Sequence, residues 1–178
     1  GIAVCSLGHA HPKVSEAVAA QATRLVHTSN LFYNEQSILL ADELTRRTGF
    51  DKVFFCNSGT EANEAMLKIA RRWHHEKGDR ERVELVSTHN SFHGRTMGAL
   101  SVTGQPKYHV GMEPLVGGVH FVEYGDLEAM RAAVGPRTAA VIVEPIQAEG
   151  GIFVGTDAYL QGLRAICDER GALLELHR

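Results

Sequence analysis

The sequence predicts an α/β fold, a mostly parallel β-sheet flanked by helices. Two observations lead to this prediction. Short apolar runs typical of strands alternate with longer stretches in which apolar residues recur every three or four positions, as they do in helices. Strands that alternate with helices form βαβ units, in which the strands run parallel. This alternation starts late, so we expect a helical segment over residues 1–50 that leads into part of a sheet domain over 51–178.

The predicted elements follow in chain order. Helices are expected over 14–25, after Pro12, and over 36–47, where the apolar stripe is imperfect. Strands are then predicted at 53–55, 83–86, 119–122 and 139–143, with another beginning at Ala172. The helices among these strands cover 61–73, 127–134 and 158–169. In the first of these, the three- and four-residue spacing predicts a buried face formed by Ala62, Ala65, Met66, Ile69 and Trp73.

Composition narrows the possible classes of function. The chain has 178 residues, 44% of them hydrophobic, and a net charge of −3 without a basic stripe, so no nucleic-acid partner is expected. No apolar run approaches the roughly 20 residues that a membrane span requires, which favours a soluble, cytoplasmic protein without a membrane partner. Three widely spaced cysteines are interpreted as small core residues: Cys5, Cys56 and Cys167. Both ends of the sequence suggest a piece of a longer domain.

The loop before the 61–73 helix is the first candidate site. Parallel sheets bind ligands outside the carboxyl ends of their strands, and the loop Ser58-Gly59-Thr60 follows such a strand. The first N–H groups of a helix have no internal acceptor and carry a partial positive charge, so they suit a phosphate. An ordinary capped helix is the alternative, and local physics does not choose between the two.

Two further segments follow predicted strands. Residues 87–104 are interpreted as too polar for core, with Phe92 able to cover a flat ring and Arg95 able to hold a carboxylate. A packed phenylalanine and a solvated arginine are the simpler alternatives. Glu144 ends an apolar strand, where a carboxylate needs a partner, whereas Glu149 fits a solvated loop equally well.

A metal protein is a third alternative, suggested by the ten histidines. His89 and His93 would have ligand spacing if they shared a helix, but Gly94 and the absence of an HExxH motif argue against it. We therefore expect no metal site.

Taken in order, the three segments resemble a known family. "NSGTEANEAMLKIAR", "FHGRTMGALSVTG" and "VEPIQAEGG", with "GHAHP" and "HTSNLFY" before them, are similar to the class-III aminotransferases that use pyridoxal 5'-phosphate, above all those acting on acetylornithine. The resemblance implies part of the large domain of fold-type-I pyridoxal-phosphate enzymes and a homodimer in the full-length protein. It also implies transfer of an amino group from N-acetylornithine, or a similar ω-amino donor, to 2-oxoglutarate in arginine biosynthesis.

The resemblance also implies roles for individual residues. The phosphate would bind the amides of Gly59 and Thr60 beside Ser58. The remaining residues implied at the cofactor are Phe92, which would stack on the ring, His93, Glu144 and Gln147. Those implied at the substrate are Arg95 for its carboxylate, Glu149 as the partner of a mobile arginine, and Asn30 and Tyr33 along the channel.

The last residues depart from the family pattern. His177 stands where relatives have the Asp that meets the ring nitrogen, and Glu175 is acidic inside an apolar strand. Lys68, Lys77 and Lys107 lie outside any motif for the lysine that forms the Schiff base. We therefore predict no catalytic residue in this chain and no transamination by it. Ornithine, succinylated diamines and 4-aminobutyrate stay open as donors, and a non-catalytic binding or pseudogene product is the alternative of another class.

Overall fold

A computed structural model describes residues 4–177 and divides the chain into two compact units, one up to Phe54 and one from Phe55. The first unit contains two helices, α1 (Pro12–Ala22) and α2 (Glu35–Thr48). Proline at the start of α1 loses no helical hydrogen bond, and the side chain of Asn34 accepts hydrogen bonds from the first amides of α2. The predicted domain ranges 1–50 and 51–178 stay predictions, and they extend into residues 1–3 and 178, which lie outside the described residues.

The second unit contains the sheet. Its elements, in chain order, are α3 (Gly59–Glu76), β1 (Glu84–Thr88), α4 (Met97–Val102), β2 (Val119–Val122), α5 (Leu127–Ala133), β3 (Thr138–Val143), β4 (Ile146–Gln147), β5 (Phe153–Val154), α6 (Asp157–Arg170) and β6 (Leu173–Leu176). Four strands form a parallel sheet in the order β2-β1-β3-β6, and β4 pairs with β5 in a short antiparallel hairpin. The α/β fold with a mostly parallel sheet is therefore confirmed.

Helices cover both faces of this sheet. Val141 and Val143 of β3 pack into a core with α5 and α6, whereas Ala140 and Ile142 pack into a second core with α3. Successive side chains of a strand point to opposite faces, so a fully buried strand contributes to both cores. β3 therefore lies at the centre of the unit. Its carboxyl end lies at the C-terminal edge of the sheet, where all four parallel strands end.

Two predictions about secondary structure are wrong. Residues 53–55 form no strand, because no strand within residues 4–177 pairs with them, and Phe54 stays 67% exposed. The segment 87–104 is not too polar for the core, since it contains α4, in which residues 98–102 are all buried. Small residues there allow close packing that the count of polar side chains does not reveal.

The predicted burial of α3 and of the cysteines also needs correction. The buried residues of α3 are Asn63, Leu67, Ala70 and His74. Ile69 and Trp73 are 46% and 38% exposed. Of the cysteines only Cys167 is buried, whereas Cys5 and Cys56 are exposed and belong to no core. Among the described helices, none is long and apolar enough to cross a membrane.

Candidate functional site

The carboxyl ends of three parallel strands bring the candidate residues together. Thr88 ends β1, Glu144 follows β3, and His177 follows β6. Two hydrogen bonds connect these ends: the side-chain amide of Gln147 donates to the Thr88 hydroxyl at 2.9 Å, and the His177 amide donates to the Val143 carbonyl at 2.9 Å. The segments that the sequence places after separate strands therefore meet at one edge.

The amino end of α3 reaches the same edge. The carbonyl of His93 accepts a hydrogen bond from the side chain of Asn63, one turn into the helix. Gly94 adopts φ +129°, and a Cβ there would lie 2.6 Å from the Cβ of Thr60, so only glycine allows this approach. The loop 58–60 and the segment 92–96 are thus neighbours in the fold.

The loop Ser58-Gly59-Thr60 is built as a capped helix start with free donors. The Ser58 hydroxyl accepts from the Glu61 amide at 3.3 Å, and the Glu61 carboxylate accepts from the Asn57 amide at 2.9 Å. These hydrogen bonds do not use the amides of Gly59 and Thr60. As the first two helical positions, these amides have no acceptor within the helix. A Cβ at Gly59 would meet only the His177 ring at 3.6 Å, so a ligand can approach this backbone closely. An anion such as phosphate fits these donors.

Glu144 is a buried carboxylate that accepts a hydrogen bond from the backbone of the segment 87–104. It is 4% exposed, and it accepts a hydrogen bond from the Phe92 amide at 3.0 Å. Burial raises the pKa of Glu144 to about 7, although the hydrogen bond from Phe92 opposes the rise. A group with this pKa exchanges a proton near neutral pH. The sequence predicts a partner for this carboxylate, and that partner is the Phe92 amide.

Gln147 and His93 are buried within the same edge, each 1% exposed. Gln147 is fixed by hydrogen bonds to Thr88 and to the His89 carbonyl, both at 2.9 Å. The Nδ1 atoms of His93 and His177 lie 3.2 Å apart, and burial together with His177 lowers the pKa of His93 to about 3. Burial also lowers the pKa of His177, so both rings are neutral at pH 7.

Phe92 and Arg95 meet at an aromatic residue that sequence reasoning missed. The guanidinium of Arg95 lies over the Tyr108 ring, 4.4 Å from its centroid, and Phe92 contacts the same ring edge-on with centroids 6.1 Å apart. Tyr108 belongs to a 3₁₀ turn at Pro106–Tyr108, in a stretch for which the sequence predicts no element. The sequence does show an aromatic residue, Tyr108, after Arg95, and this could have suggested a contact between the two. Arg95 itself is exposed and free to meet an anionic ligand.

The remaining predicted site residues belong to other segments of the chain. Glu149 is an exposed residue of the loop after β4, and its charge adds to the rise in the pKa of Glu144. Asn30 and Tyr33 belong to the first unit, where Tyr33 is 94% exposed. His89 and His93 share no helix, which removes the metal-site spacing that the sequence suggested.

The chain is similar to known proteins over nearly its whole length. The family model "Aminotransferase class-III" matches residues 1–176. Acetylornithine aminotransferase from Myxococcus xanthus is 54% identical over 98% of the chain, and the one from Clostridium acetobutylicum is 51% identical over 98%. The chain spans 43% and 45% of the lengths of these two relatives.

Solved structures show the same similarity. The crystal structure of an ornithine aminotransferase from Toxoplasma gondii superimposes with a TM-score of 0.93 at 33% identity, over 99% of this chain and 42% of that one. An amine transaminase from an uncultivated Pseudomonas species, in its pyridoxal-phosphate-bound form, superimposes with a TM-score of 0.86 at 30% identity, over 95% of this chain and 44% of that one.

Proposed function

The chain belongs to the class-III aminotransferase family, and we propose that the protein containing it moves an amino group from N-acetylornithine, or a similar ω-amino donor, to 2-oxoglutarate. Identities of 54% and 51% to acetylornithine aminotransferases support this donor, with ornithine, succinylated diamines and 4-aminobutyrate as the alternatives. A role in arginine biosynthesis, a cytoplasmic location and a homodimeric full-length protein belong to the same proposal. One observation supports the proposal above all. The loop Ser58-Gly59-Thr60, here called the phosphate-type loop, lies at the same edge of the sheet as Phe92, Arg95 and Glu144.

Pyridoxal 5'-phosphate is the cofactor of this family, and the phosphate end of the site fits it. In the proposed arrangement the amides of Gly59 and Thr60 donate to the phosphate, with Ser58 beside them. Phe92 covers one face of the ring, while His93, Glu144 and Gln147 form the buried polar wall around it. When bound, the cofactor supplies an electron sink for a substrate that loses a proton.

The remaining residues of the site act on the substrate. Arg95 binds the substrate carboxylate, because a guanidinium offers two parallel donors to two oxygens. Glu149 neutralises a mobile arginine when no substrate is bound, and Asn30 with Tyr33 borders the substrate channel in the full-length protein. Positioning of this kind contributes to rate by holding the reacting groups in fixed relation.

The ring-nitrogen end of the site fits the cofactor less well than the phosphate end. Such sites pair the ring nitrogen with a charged side chain, whereas His177 of this chain is neutral and contacts the neutral His93. This observation favours the second candidate function, a protein that binds the phosphate ligand without turnover.

Binding of pyridoxal 5'-phosphate in equilibrium dialysis tests the proposed site. Gly59→Asp places a carboxylate at the first turn of α3, where it suits the helix but repels a phosphate. We expect this variant to weaken binding by at least about tenfold, equal to about 1.4 kcal/mol. Gly59→Ala is the matched control, since the added Cβ makes only an ordinary contact with His177 and keeps both amides.

Inorganic phosphate should compete with the cofactor for the same site. If the wild-type chain binds no pyridoxal 5'-phosphate, or if Gly59→Asp binds it as well as Gly59→Ala does, the proposed phosphate site is wrong.

A further inference from the structure

A chain of hydrogen bonds connects the phosphate-type loop to a carboxylate one helical turn further along α3. The Thr60 and Thr96 hydroxyl oxygens lie 3.1 Å apart, and the Thr96 hydroxyl donates to Oε1 of Glu64 at 2.6 Å. Glu64 follows Thr60 by four positions in α3, so both side chains project from the same face of the helix. The three residues therefore form a continuous polar connection across the site.

The same oxygen of Glu64 also holds the start of α4. It accepts hydrogen bonds from the amides of Gly98 at 2.8 Å and Ala99 at 3.2 Å, which would otherwise lack acceptors at a helix start. A Cβ at Gly98 would lie 2.8 Å from Cδ of Glu64, so glycine at this position makes room for the carboxylate. Three donors thus converge on one oxygen.

These contacts determine which hydroxyl donates to which oxygen. Thr96 has a single hydroxyl hydrogen, and it is directed to Glu64. The contact between the two threonines then requires the Thr60 hydroxyl to donate to the Thr96 oxygen. Burial raises the pKa of Glu64, but hydrogen bonds from Thr96 and the two amides outweigh burial and lower it, so the carboxylate is ionised and accepts only.

Gly94 completes the confinement of Thr60. The Thr60 side chain packs against Gly94 on one side and against Thr96 on the other. We propose that Glu64 is a positioning residue that orients Thr60 of the phosphate-type loop through Thr96. The inference rests on the proposed function for its effect on phosphate binding, but the orientation of Thr60 is a property of the ligand-free chain.

A double-mutant cycle on pyridoxal 5'-phosphate binding tests this proposal. We expect Glu64→Ala to weaken binding about fivefold to twentyfold, because Thr96 loses its charged acceptor and no longer holds Thr60. Thr96→Val should weaken binding comparably, and Glu64→Ala should cost clearly less in the Thr96→Val background than in the wild type, since only the hydrogen bonds from Gly98 and Ala99 remain to be lost. Glu64→Gln should keep binding within about threefold of wild type, since its amide oxygen can replace Oε1 as the acceptor for the Thr96 hydroxyl.

Glu76→Ala is the matched control. It removes a carboxylate from the same helix, where Glu76 makes an exposed ion pair with Arg72, so binding should stay at the wild-type level. The proposal is overturned if folded Glu64→Ala binds with wild-type affinity, or if its cost is the same with and without the Thr96 hydroxyl.

The Thr60 methyl resonance in the NMR spectrum of the ligand-free chain provides an independent readout. Glu64→Ala and Thr96→Val should move it in the same direction, and Glu64→Gln should leave it near its wild-type position. An unchanged resonance in Glu64→Ala overturns the positioning role even if phosphate binds. Absence of binding by the wild type, together with the expected methyl shifts, would refute the proposed phosphate site and leave the positioning role supported.

Discussion

Glu175 is a single residue whose burial works against the fold. It lies in β6 opposite Ile142 of β3, it is 7% exposed, and burial raises its pKa to about 8. Burial in an apolar strand favours the neutral form of this carboxyl group. At a pH between the ordinary carboxyl pKa and about 8 the group is ionised in the unfolded chain, so it must take up a proton when the chain folds. Glu144 is buried as well, but the Phe92 amide offsets part of its cost.

Replacing Glu175 with leucine should stabilise the chain. The folded-state pKa lies above the unfolded one, so the stability attributable to this group is present below pH 4.5 and is lost as the pH rises to about 8. We expect Glu175→Leu to raise the free energy of unfolding at pH 8 by roughly 2–4 kcal/mol and to flatten its decline with pH, measured by urea denaturation.

Glu128→Leu on the exposed surface of α5 is the control and should leave the pH dependence unchanged. If the free energy of unfolding falls equally with pH in the wild type and in Glu175→Leu, Glu175 is solvated and the prediction is wrong.

At the scale of the element, α3 shows how tertiary contacts choose the buried face of a helix. Its buried residues include Asn63, whose side-chain amide donates to the His93 carbonyl, and His74, whose Nε2 donates to the Ala139 carbonyl. A polar side chain with a bonded partner can be buried at little cost, so an apolar pattern alone identifies the wrong stripe. The apolar residues that the pattern favours, Ile69 and Trp73, remain partly exposed in this chain.

Alanine substitutions in α3 test which face is buried. Leu67 is 7% exposed, so Leu67→Ala should lower the free energy of unfolding by about 2–5 kcal/mol through lost burial and a cavity. Ile69→Ala, at 46% exposure, is the matched comparison and should cost less than about 1 kcal/mol. Chemical denaturation of both variants decides the matter, and a larger cost for Ile69→Ala would reverse the assignment.

The polar segment after β1 is fixed by a close backbone approach. His89 and Gly104 form an isolated bridge, and a Cβ at Gly104 would lie 2.9 Å from the Cα of His89. This contact closes residues 89–104 into a compact unit that carries Phe92 and Arg95.

Gly104→Ala should therefore destabilise the chain and loosen the site. Backbone atoms cannot move aside as a flexible side chain can, so we expect a loss of about 1–3 kcal/mol in thermal or urea unfolding. Gly117→Ala is the control, because a Cβ there would meet nothing within 4 Å. Equal stability of the two variants would contradict the close approach.

At the scale of the whole molecule, the parallel sheet gathers the site. Parallel strands all end at the same edge, so residues from three separate segments meet there without further design. The same geometry divides the core, with α3 on one face and α5 with α6 on the other. The chain spans less than half the length of its curated relatives, so catalysis belongs to the longer protein in our proposal.

The chain by itself should bind pyridoxal 5'-phosphate without converting amino donors. Lys77 lies over the Trp73 ring at the far end of α3, and neither it nor Lys68 nor Lys107 lies in a motif for a Schiff-base lysine. When N-acetylornithine is added to the mixture of chain and cofactor, we expect no absorbance change beyond the one that the free cofactor shows with the same donor. A donor-dependent change that disappears when any one lysine of the chain is replaced by arginine would contradict this prediction and identify that lysine as the one that forms the Schiff base.

The sequence by itself determined the α/β class, most of the strands, and the family, because apolar periodicity and long ordered motifs are local properties of the chain. It also selected Gly59, Phe92, Arg95 and Glu144 as candidate site residues, since each lies beside a strand or helix end that can be located from that periodicity. Only the tertiary structure decided that Asn63 and His74 are buried, that α4 packs into the core, and that Thr60, Thr96 and Glu64 are connected. Several of these contacts join residues 30 or more positions apart, such as Glu64 and Thr96, which are 32 positions apart, and such contacts leave no periodic signal in the sequence.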